Sequence, residues 1–270
     1  MSAEPGQAGD FHNHLVPAVD DGPATLVDAR EGVTRMVAAG FGRVVTTPHL
    51  EASLLLRPGD AEAYLETVSE GFRWVAEWAR GRFPELDFRR GHEVRLDVPS
   101  CEFSDERLRL GGTSFALVEW PRFQIPPETV TVLARLRASG VRPVVAHPER
   151  YARAQGELAL LAEWKRVGAY LQMNYGSLVG CYGPEVRSAA FALLEAGLVD
   201  YLCTDFHGRP ELTLYAEDAR ARLEEVGGAE QLYTLSVTNP GRLFEDEAPL
   251  PAPPLAVGRS FWGKLRGLFQ

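Results

Sequence analysis

The chain has 270 residues, of which 45% are hydrophobic and 24% charged. This apolar fraction fills a sizeable core and excludes a wholly disordered chain, and the length suits one large domain or two small ones. The net charge of −9 at pH 7 argues against a surface that neutralises a nucleic-acid backbone, so we predict no nucleic-acid partner.

Three cysteines, Cys101, Cys181 and Cys203, lie far apart and form no CxxC pair. This spacing argues against a disulfide framework and against a cysteine zinc site. The first ten residues lack the basic and apolar regions of a signal peptide, and no run of 18 apolar residues follows. We therefore expect a cytoplasmic protein, and the sequence leaves its oligomeric state open.

Short apolar runs bounded by Gly or Pro predict strands that end near residues 14, 47, 93, 119, 146, 174 and 204. Apolar residues three and four apart predict helices over 26–39, 61–80, 128–139, 157–167, 185–196 and 213–225. Several of these helices stop one residue before a glycine, as is typical of a left-handed C-cap. Strand, loop and helix alternate about seven times, which predicts an α/β fold with a parallel, closed or nearly closed barrel.

The six histidines fall near predicted strand ends, and none lies on a predicted helix. In a parallel barrel the carboxyl ends of the strands share one rim, so these side chains are expected to meet there. His12 and His14 flank Asn13 in the predicted first strand, and the period of two directs both imidazoles to one side. Asp205 and His207 repeat this spacing. The alternative is a scatter of structural histidines, an interpretation that we adopt for His92 alone.

We predict that nine imidazole and carboxylate groups bind metal. A single ion takes about four to six ligands, so nine imply two or three divalent ions. Ligation without thiolate suits manganese, iron or zinc. Adjacent ions would lower the pKa of a bridging water and hold phosphoryl oxygens. The predicted ligands are His12, His14, Asp21, His49, Glu93, Glu119, His147, Asp205 and His207.

Six motifs occur in the order of the PHP (polymerase and histidinol phosphatase) superfamily. They are Asp10-Phe-His-Asn-His14, Thr47-Pro-His49, Gly91-His-Glu93, Val118-Glu119, Ala146-His-Pro-Glu-Arg-Tyr151 and Thr204-Asp-Phe-His207. HNHLVPAVDDGP, AHPERY and GSLVG more closely resemble the bacterial PHP-type protein tyrosine phosphatases of the CpsB/CapC kind, which are encoded with capsule and exopolysaccharide genes. The resemblance runs from about residue 10 to residue 244.

The resemblance implies a distorted (β/α)7 TIM-like barrel, the PHP fold, with a trinuclear centre that usually prefers manganese. By analogy, one ion takes His12, His14, Glu93 and Asp205, a second takes Glu93, Glu119 and His147, and the third takes Asp21, His49 and His207. Arg150 and Arg209 match arginines that grip the substrate phosphate, a role that suits the guanidinium fork. Asp205 is assigned a catalytic role as well as a ligand role.

The implied enzyme is a phosphoric monoester hydrolase that cleaves phosphotyrosine by metal-activated hydroxide. Its expected protein partner is a bacterial tyrosine autokinase that controls exopolysaccharide or capsule production. The alternative is a PHP small-molecule phosphoesterase, such as a histidinol-phosphate phosphatase, which would share the same ligands. Cys-x5-Arg spacing also occurs at Cys101 and Cys181. We reject a thiolate phosphatase because acidic residues and Pro184 interrupt these loops.

We divide the chain into an N-terminal extension (1–9), a PHP phosphatase domain (10–244), a Pro-rich linker (245–258) and a basic amphipathic tail (259–270). Four prolines within 249–254 predict a stiff, extended linker. The tail combines basic and apolar residues. That composition suits peripheral contact with a membrane surface or a partner, and packing on the barrel or on a second subunit is the alternative.

Overall fold

The computed structural model describes residues 7–98, 101–151 and 157–255. Its strands are β1 (Ala8–Asp10), β2 (Phe41–Thr46), β3 (His49–Glu51), β4 (Asp87–Arg90), β5 (Glu93–Arg95), β6 (Phe115–Glu119), β7 (Arg142–Ala146), β8 (Tyr170–Asn174) and β9 (Tyr201–Cys203). Its helices are α1 (Leu26–Ala38), α2 (Pro58–Arg82), α3 (Thr129–Ala138), α4 (Leu158–Arg166), α5 (Tyr175–Val179), α6 (Pro184–Glu195), α7 (Ala216–Glu225), α8 (Ala229–Tyr233) and α9 (Asn239–Phe244).

All strand pairs are parallel, in two sheets of order β1-β2-β4 and β3-β5-β6-β7-β8-β9. Strand β2 leads directly into β3, and β4 leads directly into β5. The nine strands therefore form seven segments of the barrel wall, which we call staves: β1, β2–β3, β4–β5, β6, β7, β8 and β9. The first and last staves meet at one β-bridge, between Asn13 and Phe206. There the amide of His14 donates to Phe206 O at 2.8 Å, and that of Asp205 to His12 O at 2.7 Å. The result is the expected distorted (β/α)7 barrel.

Two staves break where they approach the rim. Pro48 separates β2 from β3 and has no N–H to donate to a ladder. Gly91 separates β4 from β5, and a Cβ there would lie 2.7 Å from Arg109 O. The two staves keep one register across the breaks, from Arg43 opposite Asp87 to His49 opposite Glu93. This register places the His49 imidazole beside the Glu93 carboxylate at the mouth of the barrel.

The core has two layers, which follow the strand alternation. Phe115, Leu117, Val144 and Ala146 belong to an inner cluster that Leu243 and Phe244 of α9 also join. The alternate residues of these strands pack in the larger cluster that includes the helices. Because α9 also contacts β1, the barrel is filled from the amino end of its strands. The opposite, carboxyl end remains for polar side chains.

The helix predictions are confirmed to within about three residues at each end. Gly40, Gly140, Gly168 and Gly197 follow their helices with positive φ, as the C-cap argument requires. Helix α1 begins with a capping box, in which Thr25 Oγ1 accepts from the Asp28 amide and the Asp28 carboxylate accepts from the Thr25 amide.

Two strand predictions are wrong. The first strand ends at Asp10, so His12 and His14 lie in the loop after it, where only Asn13 makes a bridge. The run toward Glu93 is not one strand, because Gly91 divides it into β4 and β5. In both places tertiary packing, rather than local propensity, decides the backbone.

Residues 252–255 of the predicted linker pack on the barrel. Ala252 and Leu255 are buried, and the Leu255 amide donates to Leu194 O at 3.0 Å. Gln231 Nε2 donates to Pro253 O at 2.8 Å. Residues 256–258 of the linker and the tail 259–270 lie outside the described residues. Among the helices that the structure describes, none is long and apolar enough to cross a membrane.

Candidate metal centre

Four histidine side chains at the rim lie close to the carboxylate of Glu93. Its Oε2 lies 3.1 Å from His12 Nε2, 3.4 Å from His14 Nε2 and 3.1 Å from His49 Nδ1. Its other oxygen, Oε1, lies 3.2 Å from His147 Nε2. Four imidazoles from three staves therefore face one buried carboxylate, a set of donors that would suit divalent metal ions.

Eight of the nine predicted ligands fall into three groups, and the ligand atoms of each group lie within 4.8 Å of one another. His147 contacts two of their members: its Nε2 lies 3.2 Å from Glu93 Oε1 and 3.8 Å from Glu119 Oε2. All nine predicted ligands are thus brought together at one rim. The groups are His12, His14, Glu93 and Asp205; His49, Glu93 and Glu119; and His14, Asp21, His49 and His207.

This grouping differs in part from the one that the resemblance implies. The first group contains the same four residues. In the second, His49 stands where His147 was expected, and in the third His14 joins the expected three. His14 and His49 therefore each face two groups, and the assignment of ligands to individual ions stays a prediction.

The donor atoms are suited to metal ions because several of them have no hydrogen-bond partner. His12 Nε2, His14 Nε2, His49 Nδ1 and Glu93 Oε2 are buried and make no hydrogen bond within the described part of the chain. A buried polar atom without a partner is costly, yet four of them converge here. Imidazole nitrogens and carboxylate oxygens are the ligands that divalent transition metals take in proteins.

The cluster also balances its own charge. Burial alone lowers the pKa of His12, but the Glu93 and Asp205 carboxylates outweigh burial and raise the pKa to about 9. Burial raises the pKa of Glu93, but His12 and the neighbouring imidazoles outweigh it and hold that pKa well below its usual range. The pKa of Asp205 is lowered in the same way. Cations therefore stabilise these carboxylates in their ionised, ligating form.

Strained backbone presents two of the side chains. His147, directly after β7, has φ 34°, and Asp205, two residues after β9, has φ 52°. Left-handed conformations are unfavourable for residues other than glycine and persist where the surrounding structure enforces them. Asp205 therefore reaches the rim through left-handed backbone after the end of β9. The prediction that Asp205 and His207 both lie at the rim holds, but the alternation of side chains along a strand is not its cause.

Sequence reasoning missed Asp20. Its Oδ2 lies 2.7 Å from His14 Nδ1 and accepts from the His49 amide at 3.1 Å. A carboxylate on the second ring nitrogen fixes the orientation of a ligating histidine. The signal was the adjacent pair Asp20 and Asp21. Only the turn geometry decides that Asp21 faces His49 and His207 while Asp20 supports His14 from behind.

Sequence reasoning also missed the support of Glu119. Arg95 Nε lies 2.8 Å from Glu119 Oε1, and Arg95 Nη1 lies 2.6 Å from Glu51 Oε1. This ion pair leaves Glu119 Oε2 directed toward His147, 3.8 Å away.

A cleft of about 370 Å³ lies beside the cluster, and both predicted phosphate-binding arginines line it. The Arg150 guanidinium lies between the rings of Phe123 and Tyr182, 4.3 Å from each centroid. Its Nη1 also lies 2.9 Å from Asp205 Oδ2. Arg150 is thus held by stacking and by one ion pair, which leaves its remaining donors for the cleft.

The remaining histidine and the cysteines lie outside the cluster. His92 is buried with its Nδ1 2.9 Å from Arg107 O, and burial lowers its pKa to about 4. Cys181 lines the cleft, but burial raises the pKa of its thiol to about 11. Burial also raises the pKa of the Cys101 thiol, to about 12. A nucleophilic cysteine needs a lowered pKa, so neither thiol suits that role.

The fold and this cluster define an α/β barrel protein with a candidate polynuclear metal centre at the carboxyl rim. The chain belongs to the family described as capsular polysaccharide synthesis, CpsB/CapC, whose model matches residues 8–245. It is 27% identical to the tyrosine-protein phosphatase YwqE of Bacillus subtilis over 96% of this chain and 99% of that protein. It is 26% identical to the tyrosine-protein phosphatase CpsB of Streptococcus pneumoniae over 88% and 98%.

Solved structures agree with this family. One, from work on YwqE of Bacillus subtilis and CpsB of Streptococcus pneumoniae as unique metal-dependent tyrosine phosphatases, matches with a TM-score of 0.78 and 26% identity. The match covers 93% of this chain and 99% of that chain. A mutant organophosphorus hydrolase of Deinococcus radiodurans has a TM-score of 0.51 at 19% identity, over 90% of this chain and 94% of that chain, and shares the fold alone.

Proposed function

We propose that this protein hydrolyses phosphotyrosine in proteins at a centre of two or three divalent ions, with manganese preferred. The observation that carries the proposal is the convergence of three imidazole nitrogens within 3.1–3.4 Å of Glu93 Oε2. Family membership and relatives named tyrosine-protein phosphatases support the reaction type.

The nine rim residues would hold the ions. Bound divalent ions supply Lewis acidity to the phosphoryl oxygens and to the attacking water. Asp20 keeps His14 in place, and Arg95 keeps Glu119 in place. Rigid support of this kind holds ligands in productive geometry without reorganisation during the reaction.

Arg150 and Arg209 bind the phosphoryl group from the cleft side, where their charge offsets the negative charge of its oxygens. Water attacks phosphorus, a new P–O bond forms, and the P–O bond to tyrosine breaks. The products are inorganic phosphate and a phenolate, which takes its proton from solvent. Because a tyrosine phenol has a pKa of about 10, the leaving group needs no dedicated general acid.

The cleft wall suits the aromatic ring of the substrate. Tyr182, Leu212 and Tyr215 line the same cavity as the two arginines. An aryl phosphate can thus contact aromatic and apolar side chains while its phosphate faces the cations. We propose a bacterial tyrosine autokinase of capsule or exopolysaccharide synthesis as the protein substrate, with the reaction in the cytoplasm. The family description supports the link to capsule synthesis.

A substrate panel tests the proposal. The full-length protein is assayed with Mn²⁺ on a phosphotyrosine peptide, a phosphoserine peptide of the same sequence, and histidinol phosphate. We expect the phosphotyrosine peptide to have the highest kcat/KM, by at least about tenfold, because only it combines an aryl group with a good leaving group. A larger kcat/KM for histidinol phosphate would overturn the phosphotyrosine assignment in favour of a small-molecule phosphoesterase.

A further inference from the structure

Stave β8 is the exception at the rim, since it ends in two amides rather than in a histidine or a carboxylate. Gln172 and Asn174 are both fully buried. Their side chains form a chain of hydrogen bonds that connects His12 with Asp205, two members of the same candidate metal group.

One backbone group fixes which atoms donate and which accept in this series of hydrogen bonds. The His147 amide can only donate, and it donates to Gln172 Oε1 at 3.4 Å. The side-chain atom at that position is therefore the oxygen. The same oxygen lies 2.8 Å from His12 Nδ1, so Nδ1 must carry a proton. In the neutral imidazole, the form that can bind a metal, His12 Nε2 is then the nitrogen with a free lone pair, and it faces Glu93 Oε2.

At its other end, the series of hydrogen bonds reaches the Asp205 carboxylate. Gln172 Nε2 donates to Asn174 Oδ1 at 2.9 Å, and Asn174 Nδ2 donates to Asp205 Oδ2 at 2.7 Å. Arg150 Nη1 lies 2.9 Å from that same oxygen. Both contacts occupy Oδ2, and the other oxygen, Oδ1, lies 3.3 Å from His12 Nε2. One oxygen of Asp205 is thus used for support, and the other faces the cluster.

We propose that Gln172 and Asn174 are positioning residues of the metal centre. They hold His12 as the Nδ1–H tautomer and hold Asp205 with Oδ1 toward the ions. A carboxylate at either position has no N–H, so it would interrupt the chain and add charge beside Asp205. Stave β8 thus contributes orientation instead of a ligand. The inference rests on the metal centre of the proposed function.

The test compares Mn²⁺ binding, measured by titration calorimetry, in the full-length wild type and in Gln172→Met and Asn174→Leu. Each variant keeps most of the side-chain volume and removes the amide. We expect about 10- to 100-fold weaker Mn²⁺ binding, the usual effect of losing such support. We also expect a changed visible absorption spectrum of the Co²⁺-loaded protein, which reports ligand geometry directly.

Asn239→Leu is the matched control. Asn239 is also a buried amide, and its Nδ2 donates to Asp200 O and Leu250 O, outside the cluster. It should lose thermal stability while Mn²⁺ affinity and the Co²⁺ spectrum stay at wild-type values. If Gln172→Met fails to fold, Gln172→Asn, which withdraws the amide by one methylene, replaces it with the same expectation.

Two outcomes are separable. If the wild type binds Mn²⁺ and the Gln172 and Asn174 variants bind within about twofold of it, with an unchanged Co²⁺ spectrum, the two amides only pack and the inference is overturned. If the wild type binds no Mn²⁺, the proposed metal centre itself fails, and the inference fails with it.

Discussion

Replacing Glu93 with glutamine is expected to lower kcat/KM for a phosphotyrosine peptide by at least about 10³-fold, or about 4 kcal/mol of transition-state stabilisation. The substitution changes almost no volume but removes the charge that four imidazoles face. It also places a neutral amide where His12, His14 and His49 converge within 3.1–3.4 Å of Glu93 Oε2. Initial rates at saturating Mn²⁺, together with the bound Mn²⁺ per chain, measure this effect.

Asp200→Asn is the matched control for Glu93. Asp200 is also a buried carboxylate, and it accepts from Lys165 Nζ at 2.5 Å and from the Leu171 amide at 2.9 Å. Its loss should cost about 1–3 kcal/mol of unfolding free energy and leave the activity of the folded protein unchanged. Near wild-type activity in Glu93→Gln, with metal still bound, would remove Glu93 from the proposed centre.

Arg150→Lys is expected to lower kcat/KM by about 10²-fold, the effect of losing one preorganised contact to the transition state. The planar guanidinium stacks between Phe123 and Tyr182 and still pairs with Asp205 Oδ2 at 2.9 Å. A lysine ammonium keeps the charge but cannot stack in this way or offer two parallel donors to a phosphate. Steady-state kinetics should show both a lower kcat and a higher KM.

The control for Arg150 is Arg73→Lys, on the exposed face of helix α2, where Arg73 lies 4.0 Å from Glu70. Such a surface pair contributes little, so its kinetic constants should match those of the wild type. Equal kinetic constants for Arg150→Lys and the wild type would show that the Arg150 fork does not bind the phosphoryl group.

The sequence predicts the barrel and its helices well because glycine and helical periodicity are local signals. Gly140 and Gly168, for example, mark the ends of α3 and α4 through φ values of 87° and 94°. Part of the cluster can also be predicted from the sequence, since Glu119 and His147, for example, end or follow an apolar run. A barrel brings such positions to one rim whatever the details of each loop.

The remaining features depend on contacts between distant parts of the chain. Position 91 needs glycine because a Cβ there would lie 2.7 Å from Arg109 O, and no local pattern encodes this close approach. The choice between Asp20 and Asp21 depends on one turn, and the left-handed backbone of His147 and Asp205 depends on the packing around them. The supporting residues Asp20, Arg95, Gln172 and Asn174 are found only from three-dimensional geometry.

Crystals of the full-length protein grown with Mn²⁺ and measured at the manganese absorption edge test the central claim most directly. We predict two or three anomalous peaks at the rim, at least one of them about 2.0–2.2 Å from a Glu93 carboxylate oxygen, the usual distance for a bound divalent ion. A well-ordered Glu93 carboxylate with no anomalous peak within bonding distance would contradict the account.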